Sequence, residues 1–288
     1  MIFVTGATGY TGRWVVAELL KRKQAVRCLV RKTSDVSGLD QDAVSLVAGD
    51  LERVDDWAHT LAGVDAVISV AHIQYAPFVI DACKRQGVSR VVFFSSTWRF
   101  SKLKTPVIEA VIQGEEAVEG SGLDYTILRP TMIYGPGDDR NISRLREFIK
   151  RRPLMPIFGS GEQSVQPVFV GDIAKAAVGA VFCEAAIGKG FELAGAKALT
   201  YNHMIDVLSQ SMGRLLVKVH IPIFMGLILA ILGNRISPRF PIQEDQIRRM
   251  KESRAFDISE AKTVLGFDPL SFEAGIKGAM QLTGVAEL

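Results

Sequence analysis

The chain has 288 residues, 48% hydrophobic and 23% charged, which is enough apolar material for one large α/β domain with an appended lobe or for two smaller domains. Its 34 basic and 31 acidic residues leave a formal charge of +3, too even a balance for an electrostatic nucleic-acid footprint. The three cysteines form no CxxC pair, and no metal site is expected.

In chain order, Met1 leads directly into an apolar stretch, so a cleaved signal peptide is not expected. Short continuous apolar runs at Ile2–Thr5, Ala25–Val30, Val44–Ala48, Ala66–Val70, Val91–Phe94 and Tyr125–Leu128 read as buried strands. Helical periodicity fills the gaps at Gly12–Arg22, Asp55–Leu61, Tyr75–Gln86 and Val107–Gly120. This alternation predicts a doubly wound parallel sheet with helices on both faces. Cys28, Cys83 and Cys183 sit among apolar residues of these elements, as reduced core thiols of a cytoplasmic protein would. After Pro130 the turns Gly135-Pro136-Gly137 and Gly159-Ser160-Gly161 surround a helix at Ile142–Lys150. Strands at Val168–Val170 and Phe191–Leu193 flank a helix at Ile173–Ala185, where the chain is expected to return to the main sheet. The expected organisation is a binding domain over 1–134, rejoined by 166–195, and a smaller, mostly helical substrate lobe from 135–165 and 196–288.

The first βα turn reads Gly6-Ala7-Thr8-Gly9-Tyr10-Thr11-Gly12. Gly6 permits a tight reversal, Gly9 lets the backbone approach a pyrophosphate, and Gly12 lets the helix pack closely on the strand. The helix N-terminus then faces the anion, so Thr8, Tyr10 and Thr11 border the same site. The pattern follows a strand, precedes a helix and opens a βαβ unit, the context that a dinucleotide site requires. An NAD-selective site carries a carboxylate after the second strand, where it binds the ribose 2′-hydroxyl. This chain has Arg31-Lys32 there, and with Arg13 they predict a site for the 2′-phosphate of NADP(H), with NAD(H) second. Asp50-Leu51 ends the third strand, where a carboxylate can accept the adenine amino hydrogen while the leucine touches the ring; a plain turn aspartate is the competing reading.

These residues resemble the extended and atypical short-chain dehydrogenase/reductases, the group of nucleotide-sugar epimerases and NmrA-like proteins, over nearly the whole chain. Thr5 to Gly12 is similar to that family's TGxxGxxG, and Asp50-Leu51 to its adenine-contacting pair. Val88 to Thr97 resembles its fifth strand with a serine/threonine end, which includes Ser95. Gly122 to Pro130 followed by Ile133-Tyr134-Gly135-Pro136-Gly137 resembles the strand and loop that approach the nicotinamide. Val168 to Ala174 and Leu265 to Pro269 resemble later family segments. The resemblance implies a Rossmann-type fold, a cofactor along the strand ends flanked by Ala71, His72, Ser95, Pro130 and Ile133, and a small-molecule substrate under the C-terminal lobe.

The resemblance breaks at the catalytic helix. The family uses Tyr-x-x-x-Lys, the tyrosine passing a proton and the lysine lowering its pKa, with an upstream serine or threonine positioning the substrate. Thr97 matches the last of these, but counting back from Gly114-Glu115-Glu116 puts Val107 and Val111 at the other two positions. A positioned acid or base contributes about a hundredfold to ten-thousandfold in rate, so ordinary carbonyl chemistry should be crippled. Tyr134 is the foremost substitute proton donor, and His72, Lys102, Lys104 and Glu109 are others; a packed aromatic, a cofactor-side contact and solvated side chains are the bland readings of the same residues.

The most lipid-like run, Ile221 to Gly233, is too short to span a bilayer. Its all-round hydrophobicity predicts burial, either inside the lobe or at a homodimer contact; the wall of a pocket for an apolar substrate is the sharper reading, and a membrane-surface helix is third, since the flanking cations suit anionic lipid but an alternating polar face is missing. Gln243 to Lys251 reads as a solvated helix.

Three functions stand on this reading. The first is an NADP(H)-dependent oxidoreductase acting on a small apolar or conjugated molecule through a nonstandard proton donor. The second is a non-catalytic NADP(H)-binding regulator or assembly subunit. A nucleotide-sugar epimerase or dehydratase is third, since it needs the base that Val107 lacks.

Overall fold

The computed structural model describes residues 1–137, 139–236, 244, 247 and 252–284. Seven strands form one all-parallel sheet: β1 (Ile2–Thr5), β2 (Val26–Val30), β3 (Val44–Ala48), β4 (Ala66–Ser69), β5 (Arg90–Phe94), β6 (Asp124–Pro130) and β11 (Lys189–Leu193). Their spatial order is β11-β6-β5-β4-β1-β2-β3, so the direction of winding reverses between β1 and β4. At such a switch point the crossovers leave to opposite sides and open a crevice at the carboxyl ends of the strands.

Helices cover both faces. On one, α1 (Tyr10–Lys21) packs against α6 (Val170–Val181), and α6 reaches β4, β5 and β6. On the other, α2 (Val54–Trp57), α3 (Ala76–Gln86) and α4 (Pro106–Glu119) close a core that joins Phe3, Val67, Val91 and Phe93 to Trp57, Val79 and Val111. The Phe3 and Trp57 rings stack there, with centroids 5.8 Å apart. Gly87 ends α3 in the left-handed conformation expected of a C-cap glycine.

Cys28 in β2 and Cys83 in α3 are fully buried, and burial pushes both thiols up to about 12. Cys183 is only partly buried, and its Sγ donates to the Val264 carbonyl at 3.4 Å. Since thiolates are the reactive species, we expect Ellman's reagent to titrate at most one thiol in the native protein and all three in guanidinium. Two or more native thiols reacting would contradict this packing.

The chain divides into two compact units. The first comprises Met1–Thr131, Val170–Leu193 and Asp257–Pro269; the second comprises Met132–Phe169, Ala194–Phe256 and Leu270–Leu288. The segment Asp257–Pro269 thus belongs to the first unit, with Gly266 capping the helix Ser259–Leu265 and Phe267 buried. The second unit is built from short paired strands and helices: β7 (Ile133–Tyr134) with β10 (Val168–Phe169), β9 (Ser164–Val165) with β12 (Leu199–Thr200), and β8 (Leu154–Phe158) with β13 (Val217–Ile221). Its core gathers Tyr134, Ile142, Met155, Ile157, Met204 and Phe272 from these strands, from α5 (Ile142–Arg151), from α7 (Tyr201–Ser211) and from the helix Phe272–Gly284.

Two expectations are corrected. Val168–Val170 does not rejoin the main sheet: Val168 and Phe169 pair with β7, and Val170 already opens α6. The apolar run forms α8 (Ile223–Ile236), which is not enclosed by its own unit on every side, against the reading that packed it inside the lobe. Gly226, Ala230 and Gly233 face inward, while Phe224, Met225, Ile228, Leu229, Ile231 and Leu232 are between 40% and 64% exposed. Small residues at a spacing of four and three let the helix seat closely on one side, and the bulky side chains are left on the other. The Gln243 to Lys251 helix expected from sequence lies, apart from Glu244 and Ile247, outside the described residues.

Candidate functional site

The glycine turn sits at the switch point. Gly6 has φ +70°, and a Cβ there would stand 2.8 Å from the Ala71 amide nitrogen just beyond β4, so only glycine lets the turn and that strand end approach. Gly9 closes the turn by donating its N–H to the Gly6 carbonyl at 3.0 Å. It is also the N-cap of α1, is exposed, and supplies no side-chain cap. The N-cap residue thus brings no side-chain acceptor of its own to the first turn of α1, whose amino end is a local positive pole for an anion. At Gly12 a Cβ would overlap the Gly6 carbonyl oxygen and stand 2.8 Å from Cα of Ala7. Thr8 and Thr11 are partly exposed beside these amides.

Beyond the carboxyl ends of β2 and β3 lies a cavity of about 500 Å³ lined by Arg31, Lys32, Thr33, Ala48, Gly49, Asp50, Arg53 and Asp56. Arg31 and Lys32 are exposed, and neither makes an ion pair among the described residues. Arg53 is a third cation of this wall, 4.0 Å from Asp56, which the sequence reading did not single out. Its position was legible only as a charge three residues past Asp50. The Asp50 carboxylate accepts from the Glu52 amide at 3.1 Å with one oxygen, so it braces its turn while lining the cavity. Arg13 does not line it; its side chain lies over Gly38, and its charge helps to hold the Asp35 carboxyl low, after the larger effect of the Ser37 hydrogen bonds.

After β4, Ala71 is partly buried, and His72 Nδ1 accepts from the Gln74 amide at 3.4 Å. Desolvation holds the His72 pKa below the usual imidazole value, which keeps Nδ1 available as that acceptor.

At the ends of β5 and β6 the side chains engage one another. The Thr97 hydroxyl donates to the Pro130 carbonyl at 3.4 Å, with Thr97 8% exposed. Ser95 donates to Glu115, which sits on α4 and is fully buried. Arg129 grips the same carboxylate with Nε at 3.0 Å from each oxygen and Nη2 at 2.7 Å from Oε2; its Nη1 reaches Glu192 at 3.2 Å. Arg99 Nη1 lies 3.0 Å from Glu115 Oε2. Burial alone would push the Arg129 pKa down, but the Glu115 and Glu192 carboxylates more than offset it, and the net shift is upward. This cluster ties α4 to β5, β6 and β11.

Helix α4 opens with Thr105 accepting from the Ile108 amide at 3.3 Å and with Pro106 at its first position. Its buried stripe is Ile108, Val111, Glu115 and Val118. Val111 is fully buried in the core behind the sheet, whereas Val107 is 46% exposed. The other nominated donors are dispersed: Lys102, Lys104 and Glu109 are exposed in the first unit. Ile133 and Tyr134 belong to the second unit. There the fully buried Tyr134 ring meets Phe169 and Phe272 edge-on, centroids 5.9 and 5.0 Å away, and its hydroxyl lies against Gly275.

A parallel sheet that reverses at β1/β4, with a glycine turn and an uncapped helix N-terminus at the reversal, defines a Rossmann-type dinucleotide-binding protein. The chain belongs to the NAD(P)H-binding family, whose sequence profile matches residues 6–149, from the glycine turn through β6 into α5. It is 26% identical to NADH dehydrogenase [ubiquinone] 1 alpha subcomplex subunit 9 of Arabidopsis thaliana over 71% of this chain and 56% of that protein. It is 25% identical to the photosystem II assembly factor Ycf39 of Trieres chinensis over 84% of this chain and 81% of that one. The chain therefore spans little more than half the length of some of these relatives. Its fold matches the UDP-glucose 4-epimerase of Thermotoga maritima with a TM-score of 0.78 at 20% identity, covering 100% of this chain and 99% of that one. The match to UDP-glucuronic acid 4-epimerase of Bacillus cereus, solved with UDP-glucuronic acid and NAD, has a TM-score of 0.76 at 18% identity and covers 99% of both chains.

Proposed function

We propose that this protein binds NADP(H) in preference to NAD(H) and keeps it as a resident ligand of a regulatory or assembly protein rather than as a turnover cofactor. The pyrophosphate would rest on the amides at Gly9 to Gly12, and the 2′-phosphate would lie in the cavity beside Arg31 and Lys32. The carrying observation is that cavity, whose wall has two unpaired cations where an NAD-selective site would carry a carboxylate. Arg53 adds positive charge to the same wall.

The non-catalytic half of this reading rests on Val107 and Val111, of which Val111 is sealed in the core, and on Thr97 and Tyr134 being packed or hydrogen-bonded. Relatives named as a photosystem II assembly factor and as a subunit of NADH dehydrogenase agree with it. The chain is also 25% identical to the 2-alkyl-3-oxoalkanoate reductase of Stenotrophomonas maltophilia over 74% of its length, which favours hydride transfer to a ketone carrying alkyl chains as the second reading.

Arg31→Asp should lower NADPH affinity relative to NADH about tenfold to a hundredfold by titration calorimetry, the worth of one charge-assisted hydrogen bond. An unchanged ratio would remove the cofactor assignment. Oxidation of bound NADPH by a panel of ketones and enones would decide for the second reading.

A further inference from the structure

The exposed side of α8 has no counterpart in the dinucleotide site, which lies in the other unit. From the structure of the second unit we propose that this side, with the adjoining β8/β13 ribbon, docks on an anionic lipid bilayer surface.

The helix is anchored from behind. A Cβ at Gly226 would meet the Phe158 ring at 2.6 Å, and Ile223 lies against Gly159. The helix thus seats on the end of β8, and the outward ridge consists of Phe224, Met225, Ile228, Leu229, Ile231 and Leu232, with no polar residue among them. Interfacial helices commonly carry a polar face toward water. Here the protein itself occupies that side, so every exposed side chain of the helix from Phe224 to Leu232 is apolar.

The apolar surface continues along the ribbon. By the two-residue period of a strand, Leu154 and Pro156 share a face with Phe158; α8 covers Phe158 and leaves the other two exposed. Their ladder partners Val217 and Val219 are exposed as well, at 60% and 43%. An apolar surface of this extent on both a helix and a strand pair marks an interaction site.

Charge selects the occupant. Lys150, Arg151, which also pairs with Glu147 at 2.6 Å, and Arg152 directly precede Pro153 and Leu154, and Arg214 donates to the Lys150 carbonyl at 2.8 Å beside the 96% exposed Leu215. Arg235 stands at the far end of α8. The second unit holds 16 Lys and Arg against 10 Asp and Glu, a net +6, whereas the first holds 18 against 21, a net −3. Two copies joined through this face would bring like-charged rims together, because a two-fold contact pairs each patch with itself. An anionic headgroup layer complements both the cations and the apolar ridge. At 14 residues, α8 is about 21 Å long, short of the roughly 30 Å hydrocarbon thickness, so it lies on the bilayer rather than across it.

The test uses the full chain with vesicles of phosphatidylglycerol and phosphatidylcholine in a flotation assay. Binding should appear with mixed vesicles, weaken with salt, and fall about tenfold or more in pure phosphatidylcholine. Ile228→Glu/Leu232→Glu should abolish it while NADPH binding and thermal stability stay at the parent values, which separates this surface from the dinucleotide site. Arg151→Glu/Arg152→Glu should weaken it about fivefold or more per cation. If the acidic double variant fails to fold, Phe224→Trp should gain quenching by brominated phosphatidylglycerol over the parent chain. Absence of binding to anionic vesicles would overturn the proposal. So would binding that survives the Ile228/Leu232 change in a folded variant, or a concentration-dependent dimer that this change dissolves, which would make a second copy the occupant.

Discussion

Gly12→Ala should abolish measurable NADPH binding and lower the melting temperature by several degrees. The methyl group would overlap the Gly6 carbonyl oxygen and crowd Cα of Ala7, and both neighbours are backbone. Side-chain repacking cannot relieve that contact, so the first turn of α1 must move off β1. Overpacking in a fixed frame costs about 1–3 kcal/mol, and at about 2–4 °C per kcal/mol the melting point falls visibly. The effect on binding is larger, because the displaced turn carries the amides proposed to hold the pyrophosphate. Gly63→Ala is the control: Gly63 also has a left-handed φ, +73°, but nothing within 4 Å, so the variant should lose about 1 kcal/mol and keep its affinity. Equal nucleotide affinities for the two variants would refute the assignment of this turn.

Glu115→Gln should cost about 3–5 kcal/mol, the usual consequence of removing one partner from a buried ion cluster. Arg129 would keep a partner in Glu192, but Arg99 and Arg129 would face a neutral amide inside the protein, and Ser95 would lose its acceptor charge. Because Glu115 is fully buried, added salt should restore little of the loss, unlike at the exposed Arg85–Asp55 pair. Replacing Glu115 and Arg129 together by leucine should recover part of the stability, since the desolvation of both charges is then avoided. Urea unfolding of the two variants and the parent measures this. A Gln variant within 1 kcal/mol of the parent would mean that the cluster contributes no net stability.

Most of the parallel sheet was legible because buried strands are near-continuous apolar runs; the edge strand β3 departs from the expected burial, with Val44 buried but Ser45, Leu46 and Ala48 exposed. Gly6 to Gly12 was legible for the same local reason: a strand, a turn and a helix follow within a dozen residues. Glu115 was not. In Gly114-Glu115-Glu116 both carboxylates look solvated, and only the stripe Ile108, Val111, Glu115, Val118 at helical spacing signals that the first of them points inward. Its partners Ser95, Arg99 and Arg129, and the Glu192 that pairs with Arg129, are brought together by the sheet, which no local pattern encodes. The short strands β7 to β10, β12 and β13 were missed or misplaced because two to five residues carry too little periodicity to register. For α8 the composition announced a hydrophobic helix, but only the position of its glycines and alanine, set against Phe158, fixes which side is left open.

The outer position of β11 has a consequence for the nascent chain. Lys189–Leu193 is the only partner β6 has on that side, and it leaves the ribosome about 60 residues after Pro130. At synthesis rates of roughly 5–20 residues per second, the Tyr125–Leu128 edge waits about 3–12 s with its amides and carbonyls open to other strands. Asp124 and Arg129 bracket that apolar run as charges at its two ends. Residues in those places oppose edge-to-edge aggregation while the sheet is unfinished, so Arg129 serves the growing chain before Glu115 and Glu192 hold it in the folded one.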